Sequence, residues 1–247
     1  FGDFTALTNA TNGFIDGLAE AGYVDGDNIE IHQLSAAAEA ANCPSIADTL
    51  INENSDLILA VATPSASAVK EKTSTIPVLF TAVTDPAGSG LIESNDAPGA
   101  NLTGTSDMNP VAQQIALGKQ LVPNAKKVAV MYCSSESNSK IQSDLAEAAI
   151  KEQGMESVVK TVSAIDEAKS AIESSIPKPV NTNAVHPPIP ITIINNRFLY
   201  RKIFRTDTLC RNFSRFQSHG IYSRNTRFPA FGARPRIRLA AVSPSSY

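Results

Sequence analysis

DLILAVATPSASAVKEKTSTIPVLFTAV, residues Asp56 to Val83, holds two continuous apolar runs with a helical stretch between them. DLILAVA (Asp56–Ala62) and IPVLFTAV (Ile76–Val83) lack polar alternation, the pattern of strands buried on both faces. Between them Pro64–Lys72 reads as a helix with a proline at its first position. Strand, helix and strand in this order predict a parallel pair in a sheet covered on both faces.

The same alternation continues outward. Towards the N-terminus, Ala10–Ala21 reads as a helix with Phe14, Ile15, Leu18 and Ala19 on one face and Gly22 at its end. A turn at Asp25–Asp27, a strand at about Asn28–Leu34 and a helix within NCPSIADTLINE follow, the helix directing Ile46, Leu50 and Ile51 inward. Towards the C-terminus, the Gly-rich DPAGSGLIESNDAPGANLTGTSD leaves little room for long elements. Then come a helix over Asn109–Leu121, a strand in KKVAVMYC, a helix over Glu136–Gln153, a strand over Glu156–Val162 and a helix over Ile165–Ser175. The fold class is α/β, with no internal repeat at solenoid periods.

Charge divides the chain. Residues 1–176 carry nine Lys, no Arg and 23 acids, a net charge of 9 − 23 = −14. Residues 177–247 carry two Lys, ten Arg and the single acid Asp207, a net charge of 12 − 1 = +11. A shift this sharp places a boundary near residue 176. Cys43, Cys133 and Cys210 are odd in number and far apart, with no metal-type spacing, so they read as lone thiols. No window approaches the 18 apolar residues of a membrane span. The chain opens at Phe1 without a basic and apolar leader, as a mature or truncated form does.

Ligands of open α/β sheets bind beyond the carboxyl ends of the strands, where helix N-termini point. Three such ends share one device: Thr63-Pro64-Ser65, Thr84-Asp85-Pro86 and Asp107-Met108-Asn109-Pro110. Each places Thr, Asp or Asn at an expected helix N-cap and Pro at the first helical position. A fourth strand ends in Cys133-Ser134-Ser135-Glu136-Ser137-Asn138. These residues either cap helices only, or present N–H groups and hydroxyls to a carboxylate or other small polar ligand. Gly88-Ser89-Gly90 is not a dinucleotide fingerprint, and neither a phosphate-loop lysine nor HExxH is present, so no cofactor and no metal is expected. Cys133 is a nucleophile candidate with His32 as the one base in residues 1–176, but polar alternation puts His32 on an exposed strand face. Asn9-Ala-Thr11 and Asn101-Leu-Thr103 match the glycosylation pattern, which is common by chance.

GFIDGLAEAGYVDGDNI, DLILAVATPSASA, IPVLFTAVTDPAGSGL, NLTGTSDM and KKVAVMYCSSESNSK, in this order, resemble the substrate-binding proteins of ABC transporters whose best-known members bind tryptophan or tyrosine (TrpX-like). The resemblance covers about residues 1–176. It implies a two-lobed type I periplasmic-binding-protein fold that closes on a small ligand, an amino acid, aromatic or otherwise, or a similar solute. It implies no enzyme, an exported and often lipid-anchored protein, a membrane permease as partner, no nucleic acid and a monomer. The alternative on the same fold is a cytoplasmic ligand-sensing regulator domain. Lobe 1 is expected over residues 1–104, with the first crossover within Ala87–Thr105, and the start of lobe 2 over 105–176. Thr63, Ser65, Thr84 and Asp85 would line the rim of lobe 1, and Ser134, Ser135, Glu136 and Asn138 that of lobe 2. A zwitterion would set its carboxylate on helix N-termini and its amine by Asp85 or Glu136.

The sequence departs from the family's pattern at both ends. The family's first strand, central in lobe 1, is missing before Phe1. After Ile176 the pattern gives way to RFLYRKIFR, RNFSRF and SRNTRFPAFGARPRIRL. This tail reads as a nucleic-acid or membrane-surface module, as a disordered extension, or as an out-of-frame translation from near residue 175. The abrupt change of residue usage in mid-domain favours the last.

Overall fold

The computed structural model of the chain describes residues 5–163, 167–175, 191–194 and 236–240. Two parallel sheets organise it. The elements of the first are α1 (Thr5–Glu20), β1 (Glu30–Gln33), α2 (Cys43–Asn52), β2 (Leu57–Val61), α3 (Thr63–Lys72), β3 (Val78–Val83) and β4 (Leu102–Ser106). Those of the second are α4 (Val111–Leu121), β5 (Lys127–Cys133), α5 (Ser137–Glu152), β6 (Glu156–Val162), α6 (Glu167–Ser175) and β7 (Ile191–Ile194). The last strand, β8 (Arg236–Ala240), returns to the first sheet.

The opening stretch folds as its apolar runs require. All five residues of β2 are buried. Leu57, Leu59 and Val61 pack with Leu7 and Leu18 of α1, while Ile58 and Ala60 pack with Leu50 of α2 and Ala66 and Val69 of α3. Successive side chains of a strand point to opposite faces, so a strand sandwiched between helices must be apolar throughout. β2 and β3 pair in parallel, Ile58 opposite Val78 and Val61 opposite Thr81. In the second sheet, Val128 and Val130 of β5 pack with Ala146, Ala149 and Ile150 of α5, and Met131 packs with Val162 of β6 and Ala168 of α6.

The first sheet runs β1-β8-β2-β3-β4 and the second β6-β5-β7, every pairing parallel. β8 lies between β1 and β2. Both β7 and β8 come from the basic stretch, where the sequence gives no steady periodicity. ITII and RIRLA are short and rich in Ile and Leu, and runs of four or five residues carry too little pattern to be told from coil. The remaining basic segments, and Cys210, lie outside the described residues.

Two further differences from the sequence reading are local. α1 begins at Thr5 rather than Ala10 and buries Leu7. The Gly-rich passage contains β4, unforeseen because LTGTS is an edge strand with one buried residue and no apolar run. β4 pairs with β3 as far as Ser106. Gly104 is required there, because a Cβ would strike the Phe80 carbonyl of β3.

Candidate functional site

The carboxyl ends of β2 and β3 lie side by side and carry Thr63 and Thr84–Asp85. Of the three expected side-chain caps only that of Asp85 forms, and it closes a turn rather than a helix. Ala62 is the N-cap of α3, and no side chain caps that end. Thr84-Asp85-Pro86 leads into a turn, with Ser89 N donating to Asp85 O at 2.8 Å and Leu91 N to Pro86 O at 2.8 Å. Before α4 the N-cap is Pro110, and the Asn109 amide donates to Gln142 Oε1 at 3.0 Å.

Thr63 is 2% exposed, and its Oγ1 is buried without a hydrogen-bond partner. It opens α3, whose positive end faces the same rim and whose last turn carries Lys70 and Lys72. The preceding Ala62 has φ 78° and ψ 155°, a conformation otherwise almost confined to glycine. Ala82, near the end of β3, is also left-handed at φ 55°. Ala62 and Ala82 thus place backbone strain where the two strands reach the rim, while Ala37, Ala38 and Asn54 have positive φ elsewhere.

The other residues of the first rim have partners. Ser65 lies 4.0 Å from Cys43 Sγ, across a water-sized hollow walled by Leu34, Ala36, Ile46 and Val69. Burial pushes the Cys43 thiol above its ordinary range, and Ser65 opposes that shift. Asp85 Oδ1 accepts from Gly88 N at 2.9 Å.

On the second rim, Ser134 Oγ donates to Val162 O at 3.3 Å, and Ser135 Oγ lies 3.0 Å from Cys133 Sγ. Glu136 is the N-cap of α5, and its Oε2 accepts from Ser139 Oγ at 3.4 Å. Asn138 Oδ1 is buried without a partner. Thr63 Oγ1 and Asn138 Oδ1, like Ser89 Oγ and Ser143 Oγ, are shielded from water with no hydrogen bond to the described chain.

α5 joins the two rims. One helical turn beyond Asn138, Gln142 sits 7% exposed and donates to Thr84 Oγ1 at 3.5 Å. The buried stripe of α5 is polar in its first half, Ser139, Gln142 and Ser143, and apolar in its second, Ala146, Ala149 and Ile150. Sequence reasoning missed Gln142 and Ser143 of α5. Their signal was polar residues recurring at the core-facing positions of an amphipathic helix.

The remaining candidates have structural duties. His32 Nδ1 lies 2.7 Å from Glu53 Oε2, a partner of its own away from Cys133. Asn101 Nδ2 donates to Thr73 O and Ile76 O, which fixes it to the loop before β3. Among the described residues no cluster of metal-ligating side chains occurs, and no helix is long and apolar enough to cross a membrane.

The sequence pattern of the family described as ABC transporter substrate binding protein matches residues 3–199. The chain belongs to that family. The match continues past residue 176 into the first part of the basic stretch. A tyrosine-binding protein of Clostridioides difficile is 42% identical over 173 residues, covering 70% of this chain and 50% of the relative. Among solved structures, a conserved domain protein of Vibrio cholerae O1 biovar El Tor matches with TM-score 0.68 and 35% identity, over 70% of this chain and 59% of its own. An ABC domain of Streptococcus pneumoniae in complex with L-Trp matches with TM-score 0.67 and 34% identity, over 71% and 59%. This substrate-binding protein therefore has the α/β periplasmic-binding-protein fold of those neighbours and spans about half the length of the curated relative. The family is one of solute-binding proteins, not of enzymes.

Proposed function

We propose that the chain binds a free amino acid between its two rims, as the solute-binding component of an ABC importer. The observation that carries this reading is Thr63. A hydroxyl buried without a partner is unfavourable by about 1–3 kcal/mol, and it stands at the uncapped, positive end of α3. A ligand carboxylate would accept from Thr63 Oγ1 and from the first N–H groups of α3. The ligand's ammonium would lie by Asp85 or Glu136, whose carboxylates keep acceptor capacity beyond their bonds to Gly88 and Ser139. Asn138 Oδ1 is a further acceptor on the opposite rim. Ser65, Ser134 and Ser135 shape the two rims.

The relatives' ligands, tyrosine and L-Trp, make aromatic amino acids the first to test. An extracytoplasmic site of action, a lipid anchor on the whole protein and a permease partner belong to the same proposal. A thermal-shift screen of amino acids tests the binding, since a ligand held only by the folded state raises the melting temperature by mass action. L-Trp or L-Tyr should raise it in the wild type, and the rise should shrink in an Asp85→Ala, Glu136→Ala double variant. An unshifted melting temperature with every amino acid would refute the reading.

A further inference from the structure

We propose that Gln142 is a positioning residue, whose amide couples the ligand-facing end of β3 to the segment that joins the two sheets. Its Oε1 accepts from Asn109 Nδ2 at 3.0 Å, and Asn109 lies in the link between β4 and α4. Its Nε2 donates to Thr84 Oγ1 at 3.5 Å, across 58 residues of chain. Thr84 is also tied to the end of β4, next to that link, since Ser106 Oγ donates to Thr84 O at 2.8 Å. Next to these, Asp107 N donates to Val83 O at 2.9 Å and Met108 N to Ser106 Oγ at 3.2 Å. The end of β3, the link and α5 thus form one closed circuit of hydrogen bonds.

Burial explains why the circuit matters. Thr84 and Gln142 are 6% and 7% exposed, and a buried amide is stable only when its donors and acceptors are satisfied. The bond of Gln142 to Asn109 joins α5 to the segment just before α4, whereas its bond to Thr84 requires α5 to stand against the end of β3. Parting the rims strips the longer and weaker of its two bonds and exposes the amide to water. The approach of the second lobe is therefore sensed at Thr84, next to Asp85. The position also explains the residue type. Ala146, Ala149 and Ile150 continue the same stripe, so an apolar side chain would fit the helix, and the amide is present for its two bonds.

The consequence for affinity rests on the amino-acid-binding reading, whereas the coupling itself does not. It is tested on the full chain without ligand by hydrogen exchange in wild type, Gln142→Met, Thr84→Val and the double variant. Gln142→Met should speed exchange of the amides in the turn 85–91 by about fivefold, the equivalent of one hydrogen bond. Thr84→Val should do the same for the amides of 107–111. The double variant should exceed neither single by more than twofold, as expected of two residues in one interaction. Unchanged exchange at 85–91 in a folded Gln142→Met protein, or fully independent effects, would overturn the proposal. Should Gln142→Met fail to fold, the response of 107–111 to Thr84→Val decides it alone. Affinity for L-Trp and L-Tyr, measured in parallel, should fall by up to about tenfold in either single variant. A wild type that binds neither amino acid, with the exchange pattern as expected, would refute the binding reading and leave the coupling standing.

Discussion

Gly88 donates its backbone N–H to the Asp85 carboxylate at 2.9 Å, and a Cβ at Gly88 would run into that same carboxylate. The turn after β3 thus aims Asp85 by two means, one bond and one forbidden volume. Gly88→Ala should push the carboxylate aside and break the bond, lowering stability by about 1 kcal/mol. A shifted urea midpoint with unchanged slope would register the loss. Because Asp85 is a proposed partner of the ligand's amine, amino-acid affinity should fall with it.

Thr63→Val separates function from stability. The change keeps the shape and deletes a buried hydroxyl without a partner, so the ligand-free protein should melt at the same temperature or higher. Ligand affinity should meanwhile fall by about tenfold, the worth of one hydrogen bond to a charged group. Melting curves and titration calorimetry on the same samples check both halves. A large loss of stability would show that Thr63 holds the fold and not the ligand.

Ala62 and Ala66 form a matched pair for measuring backbone strain. Ala66 is fully buried in α3, so Ala66→Gly should cost about 1 kcal/mol from helix propensity, with a further loss from its buried methyl. Ala62 already holds a glycine-like conformation, with a penalty of about 1–3 kcal/mol. Ala62→Gly relieves that penalty and should therefore be milder than Ala66→Gly by at least about 1 kcal/mol. Chemical denaturation of the two variants gives the comparison directly, and equal costs would rule out strain at Ala62.

Cys43 makes stability depend on alkaline pH. Burial holds its thiol pKa above the unfolded value, so the folded chain keeps a proton that the unfolded chain releases. The contribution is fully present below the ordinary thiol pKa of about 8.5 and is lost as pH rises through the folded value. Wild type should lose stability as pH rises above about 8.5 relative to Cys43→Ala, because only the wild type carries this ionisation. Denaturant midpoints across that range test it. Parallel pH profiles for the two proteins would exclude the thiol as the cause.

Much of the fold was legible because both sheets are parallel. Strands covered on both faces must be apolar throughout, which made β2, β3 and β5 visible as continuous runs, and β6 fell at Glu156–Val162 as read. β4 was not legible, because an edge strand needs no apolar run and its one fixed requirement, Gly104, comes from the neighbouring Phe80 carbonyl. The polar residues after the strands were legible by position, but capping was misread at two of them. Thr63 and Asn109 resembled helix caps, but neither caps a helix, since capping depends on backbone angles that a Thr-Pro or Asn-Pro pair does not set alone.

Local sequence determined what local physics controls: the alternation of strands and helices, the parallel class of sheet, and the polar residues at the carboxyl ends of the strands. Tertiary structure alone decided which residues meet. β8 enters between β1 and β2 from the far end of the chain, and Gln142 reaches Thr84 across 58 residues. Neither pairing can be read from a periodic pattern, because a strand's neighbour and a side chain's partner are selected by the closing of the sheets and the burial of one amide, not by the residues on either side.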